Sequence, residues 1–107
     1  MPRNDAEVVV SAVVDRLIHE PARLAIMTNL YVVESANATY LLQQTGLTWG
    51  NLGSHLAKLE DAGYVDVEKG YNARKPETTI SLTERGRMAL VGYRDRLTLA
   101  LAPITAS

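Results

Sequence analysis

The chain has 107 residues, which suits one compact domain, because two domains would each be too small to enclose a hydrophobic core. Hydrophobic residues make up 47% and charged residues 21%, proportions that exclude extensive disorder. Cysteine is absent, which excludes disulfides and thiolate metal sites and is consistent with a cytoplasmic location. No stretch approaches the roughly 18 apolar residues that cross a membrane, so no membrane partner is expected.

The first predicted element is an apolar helix over residues 5–18. Its apolar positions are Val8, Val9, Val10, Val13, Val14, Leu17 and Ile18, too many for one narrow stripe. Such a helix needs cover on two sides, one from its own domain and one from a partner subunit. Pro21 suits the first turn of a second helix, which is predicted over residues 21–33.

A short third helix is predicted after a connection at residues 34–37. The candidates for its N-cap are Ser35, Asn37 and Thr39. The helix is expected to stop near Thr45, because Gly46 tolerates the left-handed conformation that terminates helices.

A fourth helix is predicted from Thr48, a good N-cap, to about Ala62, and Gly63 is predicted to terminate it. Its buried stripe is formed by Leu52, Leu56 and Leu59, at spacings of four and three residues. The two helices and the tight glycine turn between them have the proportions of a helix-turn-helix, whose second helix enters the DNA major groove.

After Gly63 the hydrophobic period changes from 3.6 to two, which predicts strands at residues 64–68 and 79–82. The intervening residues 69–76 are a loop by composition, so the pair forms a hairpin with a long tip. Thr83 is predicted to cap a last helix that ends at Pro103.

The predicted loop concentrates positive charge, although the net charge of the chain is -1. Arg74 is a candidate for the DNA minor groove, where arginine is favoured. Lys69 and Lys75 are candidates for phosphate contacts, and Tyr71 and Asn72 for further hydrogen bonds. Taken alone, such a run of charge can also be a solvated turn.

The fourth helix supplies the second set of candidate DNA contacts: Thr48, Trp49, Gly50, Asn51, Gly53, Ser54, His55 and Lys58. Asn51 can read an adenine or hold a phosphate. Trp49 is either a contact to sugar or a thymine methyl, or a buried anchor. His55 is structural or hydrogen-bonds a phosphate, and Lys58 is better placed for the DNA backbone.

Residues 46–65, together with 21–27 and 82–87, resemble small winged-helix regulators of the MarR and ArsR type. The resemblance covers roughly residues 20–91. It implies an α+β, mostly α, winged helix with extra N- and C-terminal dimerisation helices, and a dimeric transcription factor that is usually a repressor. Relatives usually carry serine near Gly53, and the cysteine pairs of metal-sensing relatives are absent here.

The resulting prediction is one domain over residues 1–107, with a dimerisation helix at 1–19, a winged-helix core at 20–82 and a C-terminal helix at 83–107. The apolar surface assigned to the dimer interface comprises Val9, Val10, Val13, Leu90, Leu97 and Leu101. The predicted partners are double-stranded DNA, a second copy of the chain and an unidentified small-molecule effector.

No nucleophile motif, phosphate loop or metal-ligand cluster stands out in the sequence, so neither an enzyme nor a cofactor or metal site is predicted. Two alternatives remain open. The winged helix can serve only protein interaction, which a near-neutral net charge allows. It can also be a ligand-responsive regulator with a pocket at a domain interface.

Overall fold

The computed structural model describes residues 14–105. In chain order its elements are α1 (Pro21–Val33), β1 (Ser35–Asn37), α2 (Ala38–Thr45), α3 (Trp49–Asp61), β2 (Val65–Asn72), β3 (Lys75–Leu82), α4 (Glu84–Ala100) and α5 (Ala102–Thr105). The three strands form one antiparallel sheet in the order β1-β3-β2. This is the α+β, mostly helical winged helix that the sequence predicts.

Residues 14–20 form turns, so the predicted helix is wrong over residues 14–18. The carboxylate of Asp15 accepts hydrogen bonds from the amides of Leu17 and Ile18, at 2.8 and 3.3 Å. An aspartate that bonds nearby amides in this way competes with continued helix. Val14 and Ile18 are nevertheless buried, as part of the core of the winged helix. The rest of the predicted helix lies outside the described residues.

Residues 35–37 are a strand, β1, where the sequence suggested only a connection. Ala36 lies opposite Ile80 of β3, and the amide of Leu82 donates to the carbonyl oxygen of Glu34 at 3.1 Å. The pairing partner is more than 40 residues away along the chain, so no local pattern predicts this strand. Asn37, one of the three predicted candidates, caps α2 by accepting from the amide of Tyr40.

The hairpin of β2 and β3 is longer than predicted, because residues 69–72 and 75–76 are paired strand and not loop. Only Ala73 and Arg74 form the turn, with φ of 51° and 69°. Positive φ at both central residues is typical of the two-residue hairpin turn that matches strand twist. Pro76 is tolerated since β1 pairs only with residues 79–81, which leaves β3 an edge strand at this point.

The predicted helix termini are largely confirmed. Thr48 caps α3 by accepting from the amide of Asn51, and Gly46 and Gly63 have φ of 72° and 79°. The prediction for Pro103 is wrong: α4 ends at Ala100, and Pro103 lies inside the short helix α5.

The core lies between α1, α2, α3 and the inner face of the sheet. Its fully buried side chains are Ile18, Ile26, Met27, Leu30, Leu41, Leu52, Leu59, Val65 and Ile80. Helix α3 is thus fixed by the predicted leucine stripe, which leaves its opposite face in solvent.

The start of α4 is fastened closely to the end of α3. The Thr83 hydroxyl donates to the carbonyl oxygen of Gly63 at 2.6 Å and accepts from the amide of Gly86 at 2.9 Å. Gly86 is buried, and a Cβ added there would overlap the carbonyl oxygen of Tyr64 and lie 2.9 Å from Cδ1 of Leu82. The helix can approach this closely only because residue 86 has no side chain.

Candidate nucleic-acid interface

The outer face of α3 is exposed and carries small or polar side chains. Its exposed residues are Trp49, Gly50, Asn51, Gly53, Ser54, Ala57 and Lys58, followed at the end of the helix by Glu60 and Asp61. Cβ atoms added at Gly50 or Gly53 would meet nothing within 4 Å, so packing within the subunit does not require glycine at either position. The face can therefore approach another molecule closely, and Asn51, Ser54 and Lys58 provide its polar groups.

Trp49 lies on the exposed surface, with 64% of its area accessible, so it is not the buried anchor that the sequence left open. It borders two hollows. One, of about 270 Å³, lies between α3 and the hairpin and includes Gly53 and Lys69. The other, of about 330 Å³, lies beside the edge of β3 and includes Asn37 and Lys75. The indole thus stands between the helix and the hairpin.

The two faces of the hairpin differ in charge. Residues opposite each other in an antiparallel pair share a face, and Val67 lies opposite the buried Ile80. Lys69 and Tyr71 follow on this same face, toward α3, and Tyr71 is 80% exposed. The other face carries Asp66, Glu68 and Glu77. The face of the hairpin that carries Lys69 and the outer face of α3 therefore border a common groove, which Glu60 of α3 also lines.

The remaining predicted hairpin residues lie at the tip. Arg74 is in the turn, while Asn72 and Lys75 pair on the acidic face and are exposed. The carboxylate of Glu77 accepts a hydrogen bond from the side-chain amide of Asn37 at 3.2 Å. This contact links β3 to the N-terminus of α2, next to Trp49.

His55 is placed differently from the other predicted contacts of α3. Its side chain is 20% exposed and lies on the inner side of the helix. Nδ1 is 3.1 Å from Nη1 of Arg23 and 3.7 Å from Oε2 of Glu20. This geometry favours the structural interpretation of His55 over a phosphate contact.

Glu20 and Arg23 form a compact polar group at the start of α1. The Glu20 carboxylate caps the helix by accepting from the amide of Arg23 at 2.8 Å. Burial raises the pKa of Glu20, but hydrogen bonds from the amides of Arg23 and Ala22, together with the positive charge of Arg23, outweigh burial, and the net pKa lies below the usual value. Nε of Arg23 donates to the carbonyl oxygen of Leu17 at 2.7 Å.

Two tyrosines fasten residues 15–19 to the rest of the fold. The hydroxyl of Tyr64 donates to the carboxylate of Asp15. Burial is the larger cause and this hydrogen bond the second, and together they raise the pKa of Tyr64 to about 12. Nδ1 of His19 and the hydroxyl of the buried Tyr93 are 2.8 Å apart. His19 therefore has a specific partner.

Three of the six residues predicted at the dimer interface lie within residues 14–105. Leu90 and Leu97 are half-buried and line a cavity of about 300 Å³ between α1 and α4, and Leu101 is 37% exposed. Leu99 and Ile104, which were not among the predicted dimer residues, are more than 70% exposed. Val9, Val10 and Val13 lie outside the described residues.

Residues 22–100 match the family of winged helix DNA-binding domains. The chain belongs to this family. It is 35% identical over 78 residues to the uncharacterized protein MJ0432 of Methanocaldococcus jannaschii, covering 73% of this chain and 85% of that protein.

Two solved structures show the same winged-helix fold. The transcriptional regulator homologue from Pyrococcus horikoshii OT3 has a TM-score of 0.82 at 25% identity, covering 94% of this chain and 98% of that one. A putative MarR-like transcription regulator from Bacillus cereus ATCC 10987 has a TM-score of 0.59 at 21% identity, covering 92% and 76%. The predicted resemblance to winged-helix regulators is therefore confirmed for the family and the fold.

Arg23, Glu20, Asp15 and Tyr64 of this winged-helix protein were not among the predicted site residues, because the contacts Arg23–His55, Glu20–His55 and Asp15–Tyr64 join residues more than 30 positions apart. Over residues 14–105 no helix is long and apolar enough to cross a membrane. The same residues contain no group of three or more His, Cys, Asp or Glu side chains arranged to hold a metal ion.

Proposed function

We propose that the chain binds double-stranded DNA sequence-specifically as a homodimer and regulates transcription, as a repressor. In this proposal α3 enters the major groove, and the β2–β3 hairpin contacts the flanking backbone or minor groove. The observation that carries the proposal is the groove shared by the small outer face of α3 and the cationic face of the hairpin, with Trp49 between them.

The outer face of α3 would contact the DNA bases directly. Its two open glycines allow the helix backbone to come close to the base edges. Asn51 and Ser54 are the side chains that would form hydrogen bonds there, since asparagine pairs well with adenine. Trp49 would pack on a sugar or a thymine methyl, and Lys58 would neutralise a phosphate.

The hairpin would contact the DNA backbone. Lys69 and Lys75 are proposed to bind phosphates, and Tyr71 and Asn72 to add hydrogen bonds. Arg74 projects from the turn, where a guanidinium can reach a narrow minor groove. The carboxylates of Asp66 and Glu68 lie on the opposite face from Lys69 and Tyr71, whereas Glu60 of α3 lines the shared groove and Glu77 borders the hollow beside Trp49 and Lys75.

Duplex binding measured by fluorescence anisotropy from about 50 to about 200 mM salt tests the proposal. Six or more phosphate contacts per dimer should reduce affinity on the order of a thousandfold over this range. The variant Arg74→Asn/Lys75→Gln should flatten the salt dependence, by about one unit of slope for each lost phosphate contact. Asparagine tolerates the left-handed conformation of residue 74, so the turn should persist.

The matched control is Arg16→Gln/Arg96→Gln, which removes the same charge from exposed positions outside the hairpin and α3. It should bind DNA with the native salt slope. Equal flattening in both variants would mean that net charge alone matters, and absence of binding at low salt would favour a winged helix used only for protein interaction. Selection from a randomised duplex pool should recover a palindromic site.

The homodimer is proposed because apolar surface remains exposed along the end of α4 and in α5. Leu99 and Ile104 are 77% and 71% exposed, and Leu101 lies between them. Exposure of this kind marks an interaction surface, and a second copy would cover it with two-fold symmetry. Sedimentation equilibrium should give twice the 11.7 kDa of the chain, and a strictly monomeric mass would contradict the dimer.

A small-molecule effector is a second candidate, favoured by the cavity of about 300 Å³ between α1 and α4. Its lining is mainly apolar, with Thr28, Tyr93 and Arg94 as polar groups that could orient a ligand. Arg94, which also pairs with Asp95 at 2.9 Å, would suit an anionic group. The anisotropy assay tests this candidate directly, because an effector must change the affinity for the duplex.

A further inference from the structure

A polar cluster lies beneath α3, on the side away from the proposed DNA surface. It consists of His55 of α3, Arg23 of α1, the α1 cap Glu20 and the carbonyl oxygen of Leu17. Arg23 joins the other members, because its Nε donates to Leu17 at 2.7 Å while its Nη1 lies 3.1 Å from Nδ1 of His55. The cluster thus connects α3 to the segment that precedes α1.

The contact between Arg23 and His55 requires a neutral histidine. A guanidinium can only donate hydrogen bonds, so Nδ1 of His55 must accept. An imidazole that accepts at Nδ1 carries its proton at Nε2 and is uncharged. Since an imidazolium donates from both nitrogens, it cannot form this hydrogen bond.

Protonation of His55 would replace its contact with Arg23 by a contact with Glu20. The new proton on Nδ1 would face the positive charge of Arg23, and repulsion would separate the two groups. The nearest acceptor is Oε2 of Glu20, 3.7 Å from Nδ1. The same oxygen already accepts from the amide of Arg23 as the cap of α1, so the imidazole would have to move toward it.

We propose that Arg23 and neutral His55 are positioning residues that hold α3 in its DNA-binding orientation, and that protonation of His55 weakens DNA binding. The inference rests on the proposed function. Histidine is the side chain that changes charge between about pH 5 and 8, so acidification would act on this contact. Base contacts depend on small displacements of the reading helix, because hydrogen-bond energy falls steeply with distorted geometry.

The direction of the effect separates this proposal from simple electrostatics. A histidine that only added positive charge near DNA would strengthen binding as the pH falls. The charged groups in contact with His55 among the described residues are Arg23 and Glu20 of the α1 start, and Lys58 lies one turn further along α3 with its side chain exposed. Loss of a hydrogen bond to the Arg23 guanidinium predicts weaker binding instead.

The test compares duplex affinity at about pH 7.5 and about pH 5.5 for the native chain, His55→Gln and His19→Gln. The native chain should bind about tenfold more weakly at the lower pH, the ratio expected for one hydrogen bond to a charged group. Glutamine can accept from Arg23 and does not titrate in this range, so His55→Gln should lose the pH dependence. His19→Gln, which removes the histidine that contacts Tyr93, should retain it.

Native affinity that rises or stays constant on acidification, or His55→Gln that follows the native profile, would overturn the proposal. A second readout does not need DNA. At about pH 7.5, nitrogen-15 NMR of the His55 ring should show the proton on Nε2 and none on Nδ1. A proton on Nδ1 would refute the contact even if the chain bound no DNA, whereas the expected tautomer without DNA binding would refute the proposed function alone.

Discussion

Replacing Gly86 with alanine should destabilise the fold by about 3 kcal/mol or more, or prevent folding altogether. The added methyl group would overlap the carbonyl oxygen of Tyr64, a backbone atom that cannot move without disturbing the junction between α3 and β2. It would also lie 2.9 Å from Cδ1 of Leu82. Urea unfolding followed by circular dichroism measures the change in free energy of unfolding.

Gly92→Ala is the matched control, because it places the same methyl group on the same helix. There the nearest atom is Nη1 of Arg96, at 3.0 Å, the end of a flexible and exposed side chain. Alanine is the better helix former, so this variant should be as stable as the native chain or more stable by about 0.5–1 kcal/mol. Equal behaviour of the two variants would contradict the close packing at Gly86.

Replacing Gly53 with glutamate should leave the protein folded but weaken duplex binding by about a hundredfold, equivalent to about 2.7 kcal/mol. A side chain at this position meets open space within the subunit, and glutamate has a higher helix propensity than glycine. In the proposed complex the same side chain would enter the major groove and face DNA phosphates. Anisotropy with a selected duplex measures the loss, and thermal unfolding confirms that the fold persists.

Gly53→Gln separates size from charge, because it fills the same volume without the negative charge. It should lose less affinity than the glutamate variant and show no loss of stability. If the glutamate variant binds as tightly as the native chain, the outer face of α3 does not contact DNA. Loss of folding in both variants would instead mean that residue 53 is packed, contrary to the open space observed there.

The helix boundaries could be predicted because they depend on local chemistry. Thr48 and Thr83 each accept from an amide three residues on, and Gly46 takes the left-handed conformation at a helix end. The leucine stripe of α3 follows from helical periodicity, and its burial orients the opposite face outward. These features need no knowledge of distant residues.

Elements that depend on distant partners could not be predicted in the same way. Strand β1 exists because residues 35–37 meet residues 79–81, and nothing in the three residues themselves indicates pairing. The hairpin was predicted too short, since Gly70, Asn72 and Pro76 suggested a loop. Cross-strand pairing and the edge position of Pro76 outweigh that local preference.

For the same reason, the exposed positions of the candidate site could be predicted from the sequence, but the partner of His55 could not. The exposed positions of α3 follow from its periodicity, but the inward orientation of His55 depends on Arg23, 32 residues earlier. From the sequence, the position of His55 beside the leucine stripe indicates only that its side chain is close to the buried face of α3. Its partner cannot be identified until α1 and α3 are packed together.

The two-residue turn of the hairpin has a consequence for its dynamics. Ala73 and Arg74 both have positive φ without being glycine, a conformation that costs on the order of 1 kcal/mol for each residue. The tip is also exposed and remote from the core, so its free energy of local opening should be lower than that of the pairs beside Ile80. Amide hydrogen exchange should therefore be fast at the tip of the free protein. Bound duplex should slow it, because contacts to Arg74 would order a part of the hairpin that the fold alone holds weakly.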